Sequence, residues 1–329
     1  MQVPAEIETE GAFCLGFTAL NTFCAAAKAD SLAIDADKAQ AVVKAGKSRI
    51  TIQPLDPRDF PQSLAAEGDM ATIDGPTFCT ALKFAAAAAS TEETKFYLNG
   101  AYVQTGNAGL DMWGTDGHSM HHVAMPDVPA FGPGGIVPSD AVPIICSLGE
   151  KAAEFAVMVS DRGWHAKAGP VRAWGKVIDG TFPDARRLLS GFEKNGWGEI
   201  AAIAKDELSA ALAVAACGAD TTSGNARSLI IKSQDGEPIV IRGARGASGV
   251  IHAGRAETET RAKSAAACAV SSVLFARALT AIPAADVVVS LVGGGESILR
   301  IRPSQESATM QAEAIVMGMR VSAQEMADA

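Results

Sequence analysis

Aromatic side chains are scarce in this sequence. They make up 5% of its 329 residues, whereas alanine is abundant. Hydrophobic residues nevertheless reach 48% and charged residues 20%, a balance typical of a folded globular protein. Because few large rings are available, we expect cores of small side chains in which short helices pack against sheets. A chain of this length has room for about two to three domains.

Cysteine pairs at metal-site or redox-site spacing are also absent. No two of the six cysteines are closer than ten residues, and no C-x-x-C motif occurs. This spacing excludes a zinc ribbon and a thioredoxin-type motif. Several cysteines lie in apolar runs, where they act as small buried hydrophobes, and a reducing, cytoplasmic setting fits this usage. The six are Cys14, Cys24, Cys79, Cys146, Cys217 and Cys268.

The chain lacks a leader pattern, a long apolar run and an excess of basic charge. Its first ten residues, MQVPAEIETE, are acidic, so no secretory signal is expected. No apolar run reaches the roughly 20 residues that a membrane span needs, so no membrane partner is expected. With 28 Lys and Arg against 37 Asp and Glu, the net charge is −9. This charge argues against a broad basic surface for nucleic acid but leaves local or topological binding open.

A helix-and-strand pattern repeats along the chain. Five amphipathic segments read as short helices, and their starts are separated by 59, 62, 67 and 66 residues. Runs with strand-like composition and turn signals follow each of them. The unit is therefore one helix plus about three antiparallel strands, which predicts an α+β fold. The predicted helices begin at Phe17, Pro76, Pro138, Lys205 and Ser271.

The segment GTDGHSMHHVAMP contains three of the five histidines and raises the question of a metal site. Asp116 and His118 lie in its turn, and His121 and His122 follow. Adjacent residues of a strand point to opposite faces, so these two histidines should not bind one ion together. We therefore expect no metal site and no cofactor. No Ser/His/Asp spacing indicates catalysis either.

Four blocks in the sequence resemble the bacterial sliding clamp family, the beta subunit of DNA polymerase III. YLNG at Tyr97–Gly100 and TDGHSM at Thr115–Met120 resemble a strand and a turn of its second domain. GKVIDGTFPDARRLL, Gly175–Leu189, resembles the linker between its second and third domains, and AIVMGMRV, Ala314–Val321, resembles its C-terminus. GKSRITIQPLDPRDFP, Gly46–Pro61, resembles the end of its first domain.

The resemblance implies a division of the chain into clamp domains. Residues 1–66 correspond to a partial N-terminal domain, 67–190 to a central domain, and 191–329 to a C-terminal domain with a short extra tail, SAQEMADA. Against the family pattern, roughly the first half of the first domain is absent. The repeat of five units, two complete domains and one half, agrees with this division.

The resemblance also implies a function without catalysis. Two protomers would join head to tail in a ring around double-stranded DNA and raise the processivity of a polymerase. Helices line the hole of such a ring, so Lys83, Lys151 and Arg277 are candidates to face DNA. Loss of part of the first domain predicts exposed apolar surface and a weak homodimer. The expected dimer interface contains Leu20, Phe23, Ile50 and Ile52.

The family's peptide pocket, which holds short linear motifs of the polymerase and clamp loader, carries over by motif. Ser119, Gly318 and Ser272 stand where the family often has arginine, proline and an aromatic residue, which predicts a shallower pocket. The expected lining residues are Leu98, Thr115, Gly117, His118, Met120, Pro183, Arg187, Leu188, Ser297, Ile315, Val316, Met317, Met319 and Arg320.

Two other functions are compatible with the sequence. A clamp-fold module could bind polymerase-type peptides without closing a ring, for example as a phage or mobile-element protein. An unrelated α+β enzyme could use Asp116 and His118. Ring closure separates the first alternative from a sliding clamp, and metal content or turnover separates the second from both.

Overall fold

The computed structural model describes residues 5–60, 70–106, 109–129, 132–217, 228–243, 254–292 and 297–321. The chain forms two compact units, one over residues 2–64 and the other over residues 65–329. The extra tail and most of the predicted strand GVIHAG lie outside the described residues.

The smaller unit contains one helix and one antiparallel sheet. The sheet has the strand order β1-β2-β3, and the middle strand buries Ala41, Val43 and Ala45. The helix buries none of its residues, and Phe17 is 78% exposed. The expected exposed apolar surface is therefore present in this unit. Its elements are α1 (Phe17–Ala27), β1 (Ala33–Ala36), β2 (Ala41–Ala45) and β3 (Ser48–Ile52).

The larger unit continues the helix-and-strand pattern. Its helices are α2 (Gly75–Ala86), α3 (Ala141–Gly149), α4 (Ala185–Asn195), α5 (Lys205–Ala216) and α6 (Ser272–Ala281). Its first strands are β4 (Ala71–Ile73), β5 (Gly100–Gly106), β6 (Gly109–Thr115), β7 (Ser119–Met125), β8 (Gly135–Pro138), β9 (Phe155–Val159), β10 (Trp164–Ala168) and β11 (Val171–Gly175). The remaining strands are β12 (Trp197–Ala204), β13 (Ser228–Ser233), β14 (Pro238–Gly243), β15 (Arg255–Arg261), β16 (Ala266–Ser271), β17 (Asp286–Val292), β18 (Ile298–Pro303) and β19 (Gln311–Met317).

The strands of the larger unit form three antiparallel sheets. Two have four strands, in the orders β11-β10-β9-β4 and β15-β14-β13-β16. The third has eight, in the order β12-β17-β18-β19-β7-β6-β5-β8. It therefore consists of two four-stranded halves that meet where β7 pairs with β19. The predicted α+β class is confirmed, but each repeat in this unit supplies about four strands instead of about three.

The pairing of β7 with β19 joins sequence-distant parts of the chain. Six residue pairs, from Gln311 with Ala124 to Val316 with Ser119, are in antiparallel register. We call this pairing the seam. One face of the seam packs under α2 and α6, and the opposite face packs under α4.

Helices α2 and α3 pack at unusually close range. Asp74 caps α2 by accepting a hydrogen bond from the Thr77 N–H at 2.9 Å, and Pro76 occupies the first turn. A Cβ atom on Gly75 would lie 2.1 Å from the Gly149 carbonyl oxygen at the end of α3. Only glycine fits at this contact, so the short apolar helices can bury Phe78 and the rest of their small-residue core.

Substitution of Gly75 by alanine should destabilise the larger unit. The added methyl group meets backbone that cannot move aside, so we expect a loss of about 1–3 kcal/mol in the free energy of unfolding. Denaturant titration measures the loss. Gly191→Ala in α4 is the control, because nothing lies within 4 Å of its Cβ position. It should be neutral or stabilising by up to about 1 kcal/mol. Equal stability of Gly75→Ala and the unmodified chain would contradict this packing argument.

Candidate functional site

The turn between β6 and β7, residues 115–119, is held by its own polar groups. Asp116 Oδ1 accepts hydrogen bonds from the N–H groups of His118, at 2.9 Å, and Ser119, at 2.8 Å. Thr115 Oγ1 accepts from the Gly117 N–H at 3.0 Å and donates to the Ser119 carbonyl at 2.6 Å. Gly117 has a φ of +91°, which glycine adopts without steric penalty. The Thr-Asp-Gly-His sequence therefore specifies the turn itself.

Arg277 of α6 contacts this turn from the other half of the sheet. Its Nη2 atom lies 2.5 Å from Asp116 Oδ2 and 2.5 Å from Ser119 Oγ. Burial acts to raise the pKa of Asp116, but hydrogen bonds from Arg277, His118 and Ser119 outweigh burial and lower that pKa. The carboxylate is therefore ionised at neutral pH, and both of its oxygens have partners within the chain. This arrangement is that of a structural carboxylate, not of a general acid or base.

The DNA-facing candidates have two kinds of surroundings in the structure. Lys83 forms an ion pair with Glu150, and Arg277 forms one with Asp116. Lys151 lies in the turn after α3 and not on the helix, which ends at Gly149. Two of the three cations are thus already neutralised within the chain.

Basic side chains are few on the five helices that correspond to the predicted repeats. Helices α1, α2, α3, α5 and α6 carry three in all, Lys83, Lys205 and Arg277. Lys205 Nζ donates to the Ile282 carbonyl at 3.2 Å, so each of the three has a partner within the chain. The exposed parts of three of these helices instead carry aliphatic side chains that are about half exposed: Ile144, Val214 and Val273.

His121 and His122 lie on opposite faces of β7, as strand alternation requires. His121 Nδ1 lies 2.7 Å from the Phe84 carbonyl oxygen, and burial lowers the pKa of His121 to about 4. His122 Nε2 lies 3.0 Å from Asp111 Oδ1, and its Nδ1 lies 3.1 Å from Glu313 Oε1. The two histidines therefore belong to different layers. Within the described ranges, no three His, Cys, Asp or Glu side chains gather as a metal site would require.

His122 lies in a charged cluster that crosses the seam. Asp111 also pairs with Arg186 of α4, and Glu313 lies 3.9 Å from Arg300. Burial acts to lower the pKa of His122, but its hydrogen bonds to Asp111 and Glu313 outweigh burial and raise that pKa. The His122 imidazole thus links a carboxylate of the central half to a carboxylate of the C-terminal half.

An apolar layer covers the same face of the sheet beside this cluster. Three predicted pocket residues, Leu98, Met120 and Ile315, belong to it and are almost fully buried. Phe182 and Leu189 belong to the same layer, so the linker and α4 cover the floor of the expected pocket. The apolar layer consists of Leu98, Trp113, Met120, Ile136, Phe182, Ala185, Leu189, Val292, Ile298 and Ile315.

A partly exposed rim accompanies this buried floor. Its apolar members are Leu188 on α4, which is 55% exposed, and Met317 at the end of β19, which is 46% exposed. Met317 is tied to the turn, because its N–H donates to the His118 carbonyl at 2.9 Å. The other predicted pocket residues that are exposed or half-exposed include Thr115, Gly117, His118, Pro183, Arg187 and Arg320.

Two predicted lining residues lie elsewhere. Val316 is adjacent to Ile315 on β19 and therefore points to the opposite face, into the core beneath the helices. Met319 packs against Ile230 and Ala269 of the C-terminal four-stranded sheet. The motif match predicts that Ile315, Val316, Met317, Met319 and Arg320 line the pocket. Alternation along β19 separates Ile315 from Val316, and Met319 lies beyond the end of that strand.

The three departures from the family pattern have distinct surroundings. Ser119 is buried, and its Oγ atom accepts a hydrogen bond from Arg277 Nη2. Gly318 passes so close to Ser297 that a Cβ atom would lie 2.0 Å from the Ser297 carbonyl oxygen. The contact of Ser297 with Gly318 is thus made through the Ser297 backbone. Ser272 is buried as the first residue of α6.

Helix α4 is not among the helices that the sequence predicts, because its first residues belong to the block that resembles a linker. Two signals predict it. Asp184 caps the helix by accepting from the Arg187 N–H at 3.0 Å. Ala185, Leu189 and Phe192 recur at helical spacing and face the apolar layer. Helices α1 and α5 begin at the predicted residues, and α2 and α6 within one residue of them, whereas α3 begins three residues later than predicted.

The expected dimer-interface residues lie on α1 and β3 of the smaller unit. Leu20, Phe23, Ile50 and Ile52 are all half-buried within the chain. Strand β3 is an edge strand of its sheet, with one side unpaired among the described strands. An open edge next to partly exposed apolar side chains is a surface that can pair with another strand.

Other features of the described residues do not indicate a second site for a small molecule. A cleft of about 620 Å³ is lined by residues 204–206 and 283–286, and none of these is a predicted site residue. Of the helices described, none has the length and apolar character of a membrane span.

Comparison with known proteins agrees with the motif blocks. A family model of the DNA polymerase III beta subunit, central domain, matches residues 72–184, which include the 115–119 turn. The beta sliding clamp of Caulobacter vibrioides strain NA1000 is 35% identical over 168 residues, 48% of this chain and 45% of that protein. This part of the chain is therefore similar in sequence to the beta sliding clamp family. The matched segment thus spans less than half the length of that curated clamp.

Solved clamp structures share the fold over nearly the whole chain. A DNA polymerase sliding clamp from Pseudomonas aeruginosa has a TM-score of 0.82 at 19% identity and covers 97% of this chain and 85% of its own. The DNA polymerase sliding clamp from Caulobacter crescentus has a TM-score of 0.80 at 23% identity, with coverages of 96% and 84%. Clamp architecture therefore extends beyond the segment that sequence comparison matches.

His122 should make stability depend on pH. Its folded-state pKa is raised above the unfolded value of about 6.5, so its contribution is complete below that value and is lost as pH rises through the folded-state pKa. Melting temperatures measured upward from pH 6 should fall for the unmodified chain and fall less for His122→Gln.

His165→Gln is the matched control, because burial lowers the pKa of His165 instead of raising it. That variant should keep the fall in melting temperature. An identical pH profile for His122→Gln and the unmodified chain would show that the cluster does not bind a proton on folding.

Proposed function

We propose that this protein is a sliding clamp, a non-catalytic factor that encircles double-stranded DNA and tethers a polymerase and a clamp loader through short peptide motifs. The observation that carries the proposal is the exposed rim of Leu188 and Met317 beside the buried apolar layer at the seam. The clamp fold supports it.

Peptide binding at the rim follows from its composition. Burial of a fully exposed leucine or methionine contributes about 1.5–3 kcal/mol, and these two side chains are about half exposed. The buried floor beneath them gives a preformed support, so little ordering is needed on binding. Arg187 and Arg320 are exposed nearby in sequence and supply charge for orientation.

Ring closure is proposed by analogy with the seam. At the seam, two four-stranded half-sheets join by pairing their edge strands. Edge strand β3 of the smaller unit offers the same kind of edge. Pairing of β3 with a second copy of the chain would extend a sheet across a protomer boundary in the same way, with α1 packed behind it.

A second function is favoured by the engagement of the basic side chains of α2, α5 and α6 within the chain. The cations on α2, α5 and α6 are engaged within the chain, and exposed aliphatic side chains occur instead. A clamp-fold module that binds partner peptides without encircling DNA needs no phosphate contacts. The two functions share the rim and differ in ring closure.

Leu188→Lys should abolish binding of a clamp-binding peptide without unfolding the protein. The side chain is 55% exposed on α4, so a charge there is tolerated in the free protein but meets the apolar side chains of a bound peptide. Fluorescence anisotropy with a labelled peptide from a bacterial polymerase should show binding by the unmodified chain and none by Leu188→Lys.

Val214→Lys on α5 is the control, because its exposure of 51% is similar and it lies outside the rim. It should bind the peptide like the unmodified chain. Unchanged affinity in Leu188→Lys would remove Leu188 from the proposed site.

A weak dimer is expected from the smaller unit. Helix α1 buries none of its residues within the chain, and only a three-stranded sheet supports it. Sedimentation velocity over a dilution series should show a dimer that dissociates in the micromolar range. Ile52→Asp on β3 should leave a monomer at every concentration, whereas Ile34→Asp on β1, at the opposite edge of the sheet, should keep the dimer.

The dilution series also separates the two functions. A dimer that Ile52→Asp disrupts supports the ring. A monomer at all concentrations excludes encirclement by this chain alone and leaves the peptide-binding module. A dimer stable at nanomolar concentration would contradict the expected weakness.

A further inference from the structure

Two groups of the C-terminal half hold the 115–119 turn in place. The N–H of Met317 donates to the His118 carbonyl at 2.9 Å, and the Arg277 guanidinium lies 2.5 Å from Asp116 Oδ2. The exposed residues Gly117 and His118 lie between these attachments. The position of this part of the rim therefore depends on contacts that are made from β19 and α6.

The ion pair with Arg277 compensates the negative charge of Asp116, whose side chain is largely shielded from solvent. The Asp116 side chain is 15% exposed, and the Arg277 side chain is 29% exposed. Asp116 Oδ1 is occupied by the N–H groups of His118 and Ser119, whereas Oδ2 faces Arg277. Without Arg277, the ionised carboxylate regains favourable solvation only if the turn swings outward into water. Such a movement would displace Gly117 and His118.

Among the described residues, the Arg277 guanidinium donates hydrogen bonds only to this turn. Its Nη2 atom bonds to Asp116 and also to Ser119 Oγ at 2.5 Å, and its buried Nε atom has no hydrogen-bond partner among the described residues. Ser119 occupies the position in the turn where the sliding clamp family often has an arginine. In this chain the guanidinium comes from a residue 158 positions away.

We infer that Arg277 is a positioning residue for peptide recognition, which fixes the 115–119 turn as one wall of the rim through its ion pair with Asp116. The inference rests on the proposed peptide-binding function. It assigns Arg277 a role across the seam, in place of the DNA contact expected from the sequence.

The test is a double-mutant cycle on the full chain. Arg277→Met should weaken binding of the labelled clamp-binding peptide about tenfold and speed amide hydrogen exchange at His118 and Ser119. Asp116→Asn keeps the Oδ1 acceptor but carries no charge. The double variant Asp116→Asn/Arg277→Met should therefore recover most of the lost affinity, and Arg277→Lys should retain part of it.

Lys263→Gln is the control, because it breaks the ion pair with Glu199 away from the turn. It should leave both readouts unchanged. Peptide affinity in Arg277→Met equal to that of the unmodified chain overturns the inference, as does a double variant no better than Arg277→Met. If the unmodified chain does not bind the peptide, the proposed function fails, and unchanged amide exchange in Arg277→Met then overturns the positioning role as well.

Discussion

The pairing of β7 with β19 is the interaction on which the larger unit depends. Without it, the eight-stranded sheet would be two four-stranded halves, each with an unpaired edge. The pairing sorts side chains into two layers, with His121 and Val316 under the helices and Met120 and Ile315 under α4. Shifting the register by one residue would exchange these layers, so the apolar pattern of both strands specifies one alignment.

The candidate site is a consequence of that seam. Its floor contains Met120 from one half and Ile315 from the other, which are direct partners in the ladder. Its turn belongs to the central half but is held by Met317 and Arg277 of the C-terminal half. Neither half contains the site by itself. The proposed binding at the rim would therefore require that the seam is formed.

Local signals in the sequence were sufficient for the repeat and for most helix starts, because caps and periodicity act within a few residues. They were insufficient where the deciding contact is distant. Arg277 and Asp116 are 161 positions apart, so their ion pair could not be predicted from local sequence. The sequence of helix α4 contains a capping residue and an apolar face, but the resemblance of this block to a linker led to no helix being predicted there. The motif also could not assign Ile315 and Val316 to opposite faces, because that assignment depends on the strand they belong to and its place in the sheet.

The distribution of charge limits how the proposed clamp could hold DNA. Phosphate contacts release counterions and make affinity depend steeply on salt. Here the net charge is −9, and the basic side chains of α2, α5 and α6 are engaged within the chain. A ring lined by these helices would gain little from phosphate contacts. Its hold on duplex DNA would come from closure, so the strength of the protomer interface, and not attraction to the helix lining, would set its residence time.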